Sequence, residues 1–327
     1  MNKFKKISAI LTSALLVFAA AGCSSDSNTV ADIVSKTEAL ENYKGSVTLS
    51  TELNYQGNAT ELKMESLLDY NKDPFFAHTS ITTSTKEGEG AENSYTSDMY
   101  LQTVDGVNTA YAGYNGVWYK QQVETDDFTY SVSQYNPVEN GLLFIKSASG
   151  LQNMGSEQYN GMDVDRFEGT IPADMLSDVM ETSGAIGLIG TSIDSSYYKN
   201  VADQKVSIFV NEEGVIVGYS LDLTDLVSSL LSVLYETNGI SDDQQIITAN
   251  KYMCEGTVTE YNKGVDTTLS DDAQNAIEMP AVTASNSSDS SSDGAQTDTA
   301  ADGTDNTTDN SENTTDNSEN TTNASAE

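Results

Sequence analysis

The sequence predicts an α+β protein: a curled antiparallel sheet forming a half-open β-barrel, helices over its concave face, and a disordered C-terminal tail. Three observations carry that prediction. From Ser46 onward apolar and polar residues alternate with period 2 over several segments, the mark of an antiparallel sheet with one dry and one wet face. Compact turn phrases join those segments, Asn115-Gly116 and Asn160-Gly161 foremost, and Asn-Gly is the strongest short hairpin signal. Helical segments interrupt the strand order, and every strand shows an apolar face on one side only, so those helices are its natural cover. A long twisted sheet with one apolar face tends to curl.

Taken in order, Asn28 reads as an N-cap for an amphipathic helix through Val30, Ile33, Val34, Thr37 and Leu40, ending near Tyr43-Lys44-Gly45 with Gly45 as its stop. Val47, Leu49, Thr51, Leu53 and Tyr55 then alternate with polar residues, and Leu62, Met64, Ser66, Leu68 and Tyr70 return after the turn at Gln56-Gly57-Asn58. Further strands are expected at about 75–85, 94–104, 107–114 and 117–124. A helix at about 137–152, a hairpin through 156–160 and 162–170, and a helix opened by Pro172 follow. The glycines of 183–197 weaken a helix there. Val206, Ile208 and Val210 lead into a hairpin at Asn211-Glu212-Glu213-Gly214. A short helix at about 224–236, a strand at about 246–260 and a looser extended piece at 264–278 complete the ordered part.

The two ends are of another kind. Lys3, Lys5 and Lys6 precede an apolar run from Ile7 to Ala21, which is a secretory leader rather than a folded element and too short for a confident membrane span. Residues 281–327 hold ten acidic residues, no Lys or Arg and no aromatic residue. Such a stretch buries too little apolar area to offset chain entropy and is expected to stay disordered. The domain plan is thus a leader over 1–22, a tether over 23–27, a folded body over 28–280 and the acidic tail.

Ala20-Ala21-Gly22-Cys23 resembles a bacterial lipobox, with Ala20 where a larger aliphatic residue is commoner. The resemblance implies cleavage between Gly22 and Cys23 and a diacylglycerol-cysteine at Cys23, carrying palmitate-like chains into the cell membrane on its extracytoplasmic side. Five extended residues reach at most about 17 Å, so the body is expected to ride close to the lipid. The formal net charge of −35 argues against nucleic acid and against electrostatic attachment to anionic headgroups, since both need a basic face.

Four segments carry a second resemblance. They are the opening helix into Tyr43-Lys44-Gly45-Ser46-Val47, then Gly116-Val117-Trp118-Tyr119-Lys120, the run from Gly161 to Ile171, and Gly218-Tyr219-Ser220-Leu221-Asp222-Leu223. Over about 28–278 the chain is similar to the LolA/LolB and LppX/LprG half-barrel lipoproteins, and to uncharacterised Gram-positive members of that superfamily. The superfamily's concave cavity holds acyl chains or lipoprotein anchors. The resemblance therefore implies an apolar ligand between the sheet and the helices around 137–152 and 172–182. Mature LolA is soluble, whereas an anchored chain cannot shuttle across an envelope. The alternative is a non-catalytic surface interaction or envelope-maintenance module with a filled core and no ligand. An importer's substrate-binding lipoprotein would need two α/β lobes, which the consecutive hairpins argue against.

Chemistry is sparse in the sequence. His78 is the one histidine, on a strand face shared with Ser80 and Thr82, and reads as a surface or packing residue. Zinc sites need several His or Cys ligands, and with Cys23 claimed by the lipobox only Cys254 remains, expected in the core beside Tyr252. Asp163 and Asp165 lack the calcium-loop pattern that should follow. No enzyme activity, cofactor or metal is expected. The tyrosines between Tyr95 and Tyr135 read either as ordinary strand formers or as the lining of a cavity.

Overall fold

A computed structural model describes residues 29–55, 57–114, 116–124, 132–189, 193–240 and 247–279. The expected signal at 1–22, including Gly22, the tether with Cys23, and the tail lie outside them.

The chain opens with α1 (Val30–Glu38), capped by Thr29. Asn28, the expected cap, lies outside the described residues. The Thr29 side chain accepts from the Asp32 backbone N–H while Asp32 reaches back to Thr29, a reciprocal capping box. Six strands then run as consecutive hairpins: β1 (Asn42–Tyr55), β2 (Asn58–Asn71), β3 (Phe76–Glu87), β4 (Asn93–Val104), β5 (Val107–Tyr114) and β6 (Val117–Gln122). After α2 (Pro137–Ser147) come β7 (Ser149–Tyr159), β8 (Met162–Ile171) and α3 (Leu176–Ser183). The chain closes with β9 (Gln204–Asn211), β10 (Ile216–Asp222), α4 (Thr224–Thr237), β11 (Ile247–Tyr261), α5 (Asp271–Gln274) and β12 (Ile277–Glu278).

All twelve strands form one sheet in the order β12-β6-β5-β4-β3-β2-β1-β11-β10-β9-β8-β7. Every pair is antiparallel except β12 with β6. The sheet does not close, since β7 and β12 stand at opposite edges. The long-range pairing of β1 with β11, Tyr43 opposite Tyr261 through Tyr55 opposite Ile247, ties the first meander to the last strands. The half-open barrel expected from one-sided alternation is present.

Its helices fill one half of the concave side. α2 crosses β10 and β11, with α1 packed on it. Phe144, Ile145, Leu176, Met180, Tyr219 and Tyr252 are all buried to 2 % exposure or less. At about 1.5–3 kcal/mol per large apolar side chain removed from water, this is the main stabilising mass. Close approach needs glycine at chosen points. A Cβ on Gly141 of α2 would lie 2.9 Å from Ile216 Cγ2, and one on Gly256 of β11 would lie 2.2 Å from Tyr219 Cε1.

Three boundaries differ from expectation. α1 ends at Glu38, and Gly45 sits inside β1, where a Cβ would meet Thr257 O at 2.4 Å and Pro137 Cγ at 2.7 Å. Gly45 makes room for the start of α2 and is no helix stop. The helix expected over 137–152 ends at Ser147, because its C-cap Ala148 turns extended (φ −74°, ψ 138°) and leads into β7. Leu151, periodic with that helix in sequence, instead packs over Gly169 of β8. The piece expected to be extended at 264–278 contains α5, capped by the Ser270 side chain.

Candidate functional site

The concave side is covered unevenly. Register fixes its residues across β2–β6: Thr79 opposes Met99, which opposes Ala112, which opposes Tyr119. Near Asn42 and Asn71 this face is sealed by Leu40, Tyr43, Leu68, Leu101, Val132 and Val138. Further along β3–β5 the described residues form no such cover, and an open groove of about 500 Å³ lies among them on the sheet. Ile81, Met99 and Ala112 form its floor, Tyr95 and Tyr114 its outer wall, and Gln134 and Tyr135, from the segment before α2, its inner wall. The Tyr95 and Tyr114 rings lie 6.4 Å apart at 59°. They are 45 % and 62 % exposed.

The ligand space expected between the sheet and the helices around 137–152 and 172–182 is not open. Phe144, Ile145, Val179 and Met180 occupy it, 0–3 % exposed. Helices with wide apolar faces pack down onto a sheet until voids are gone. The groove therefore falls where no described helix reaches.

The tyrosines divide by strand parity. Tyr95 and Tyr114, with Tyr135, face the groove. Tyr100 and Tyr111 face the convex side with Phe76 and Trp118, under Leu269 and Ala273. Gly113 permits this arrangement, because a Cβ there would lie 2.8 Å from the Trp118 ring. His78 shares its strand face with Ser80 and Thr82, as expected, and that face is the convex one; its ring stacks on Tyr100 at 4.2 Å, with Nε2 3.4 Å from Asp98 Oδ1. That bond turns the carboxylate of Asp98 away from the groove its backbone borders.

Cys254 is fully buried, and burial pushes its thiol well above the ordinary range, with Glu255 adding to the effect. A thiol so shifted behaves as a small apolar group. Asp165 accepts from Ser156 Oγ at 2.6 Å and Asp163 from Gln158, so both brace the β7–β8 hairpin. Among the described residues no group of three or more His, Cys, Asp or Glu is placed to hold a metal ion. None of their helices is long and apolar enough to cross a membrane.

One titratable group stands out near the sealed end. Asn136 caps α2, accepting from the backbone N–H groups of Val138 and Glu139. Its side-chain amide also donates to Tyr43 Oη at 2.7 Å. Burial raises Glu139 above the ordinary carboxylate range. Burial, with Glu139 second, pushes Tyr70 up to about 12. Spacing did not signal Glu139, since a lone Glu in a first helical turn reads as an exposed partner of the helix dipole. Gln134 and Gly113 were equally silent, one in a loop and one in a strand.

No family model and no curated protein matches the chain. Among solved structures it is similar to the lipoprotein LppX of Mycobacterium tuberculosis, at 12 % identity over 73 % of this chain and 96 % of that one, with a TM-score of 0.34. It is also similar to LprF from Mycobacterium bovis, at 9 % identity over 73 % and 94 %, TM-score 0.39. A DUF1329 family protein from Desulfovibrio piger is similar at 8 % identity over 74 % and 92 %, TM-score 0.21.

Proposed function

We propose that this protein is an extracytoplasmic lipoprotein, held to the cell membrane by an acylated Cys23, whose half-barrel retains a lipid or other apolar molecule in the groove on β3–β5. One observation carries the reading: an apolar, ring-walled groove of about 500 Å³ is left open on a sheet whose other half is packed solid. That volume lies within the range of small-molecule sites. Acyl groups need only dry lining, at about 0.8 kcal/mol per buried CH₂. The role is retention or hand-over, with no bond made or broken.

The filled half favours a second reading, an envelope module that binds no small molecule. Two measurements separate them. The chain from Ser24 to Glu327 is purified without detergent and extracted with organic solvent for mass spectrometry. Dodecyl maltoside binding is then titrated below its micelle concentration. Retention of lipid or saturable maltoside binding, abolished by Ala112→Trp with the circular dichroism spectrum unchanged, supports the groove. Absence of both leaves the filled module standing.

A further inference from the structure

The groove differs in charge from the convex side of the same strands. Strand register puts Lys63, Lys86 and Lys120 with Glu61, Glu65, Asp69 and Asp98 on the convex side of β2–β6. On the concave side the same registers place a single formally charged side chain, Glu87, at the far end of β3. The side chains that this strand face turns into the groove are therefore neutral; Asp98 borders it from the convex parity, and no cation borders it among the described residues. An anionic head would find no partner there.

Beyond Tyr95 the rim turns acidic. The β3–β4 turn carries Glu87, Glu89 and Glu92, all exposed, and none has an ion pair among the described residues. Glu92 precedes Tyr95 by three residues, about 10 Å of strand. Lys86 is the hairpin's one lysine. It lies on the convex side, 3.3 Å from Glu61, and so leaves the rim's charge uncompensated. Between floor and rim stand the splayed rings of Tyr95 and Tyr114. An aromatic face attracts a cation centred within about 6 Å, and quaternary ammonium groups suit such sites because they shed water readily.

We propose that the groove selects amphiphiles with a cationic head of the quaternary ammonium kind. The chain lies on Ile81, Met99 and Ala112, and the head sits against Tyr95 and Tyr114, facing the glutamates of the β3–β4 turn. This rests on the groove reading above and adds to it a ligand class.

The test compares three probes of one chain length on the chain from Ser24 to Glu327 by equilibrium dialysis at low salt: dodecyltrimethylammonium, dodecanoate and dodecyl maltoside. The cationic probe is expected to bind about tenfold more tightly than dodecanoate, a ratio that screening by salt reduces. Replacing the three glutamates (Glu87→Gln, Glu89→Gln, Glu92→Gln) should bring the ratio below about threefold while maltoside binding holds. The rest of the molecule's negative field persists in that variant, so the loss localises the effect to the rim. Tyr95→Leu with Tyr114→Leu should lower cationic affinity more than maltoside affinity. Equal binding of the two ionic probes, or a preference untouched by the glutamate changes, overturns the proposal and leaves an apolar groove intact. Failure of all three probes to bind removes the groove reading itself.

Discussion

Gly256 has no side chain because the Tyr219 ring lies where one would be, with Cε1 2.2 Å and Cζ 2.3 Å from a notional Cβ. Tyr219 is itself fully buried and meets Phe144 edge-on at 4.8 Å, so it has nowhere to retreat. Gly256→Ala should cost about 1–3 kcal/mol by overpacking, read as a lower urea midpoint with an unchanged slope. Glu139 acts with the opposite sign. Burial raises its carboxyl in the folded state, so the folded protein binds that proton more tightly than the unfolded chain does. The associated stability is complete below the unfolded value of about 4.3 and is lost as pH rises through the folded value. Glu139→Gln, which carries no charge to bury, should therefore raise Tm at pH 7 relative to the parent, with the difference vanishing near pH 4. A constant difference across that window would mean that the carboxylate is not the cause.

Among the elements, the segment from Gly264 to Met279 acts as a strap. α5 presents Ala273, 0 % exposed, to Phe76, Tyr100, Tyr111 and Trp118 on the convex face. β12 then adds two parallel pairs to β6, Ile277 with Tyr119 and Glu278 with Lys120. So short a strand has little hold of its own, and the Met279 N–H bond to Lys120 O adds one more link. The strap serves the sheet by covering an edge that would otherwise offer unpaired N–H and C=O groups. Ala273→Asp places an unpaired charge against the aromatic cluster and should release the strap at a cost of a few kcal/mol. Trp118 is the chain's one tryptophan, so its emission should move to longer wavelength while the far-ultraviolet dichroism of the sheet persists. Unchanged emission would show that the strap does not depend on this contact. The sequence reading of 264–278 as extended missed α5. A four-residue helix has too few turns to display a period, and its Ser270 cap resembles any loop serine.

At the scale of the molecule, the proposed anchor answers to a physical constraint. A net charge of −35 leaves no attraction to anionic headgroups, so membrane attachment has to be apolar. The proposed pair of acyl chains on Cys23 would supply that, since one chain binds only reversibly and two suffice. Cys23→Ala should move the protein from the membrane fraction to the soluble one, whereas the parent should stay membrane-bound through a high-salt wash. Retention of the variant in the membrane would refute the lipid anchor.

The inward faces of β1 and β2 were legible in order along the chain. Alternation is a local property, and Val47, Leu49, Leu62, Met64 and Leu68 declare their side of the sheet without reference to anything distant. The β5–β6 and β7–β8 hairpins were legible for the same reason. What covers an apolar face is not local. Only the tertiary structure placed α2 on β10 and β11, which explains Gly45 and Gly141 as points of close approach and fills the space where sequence expected a ligand. It also set Ile81, Met99 and Ala112 along a groove beside Tyr95 and Tyr114. Period 2 states which way a side chain points, and packing alone decides whether another side chain meets it there.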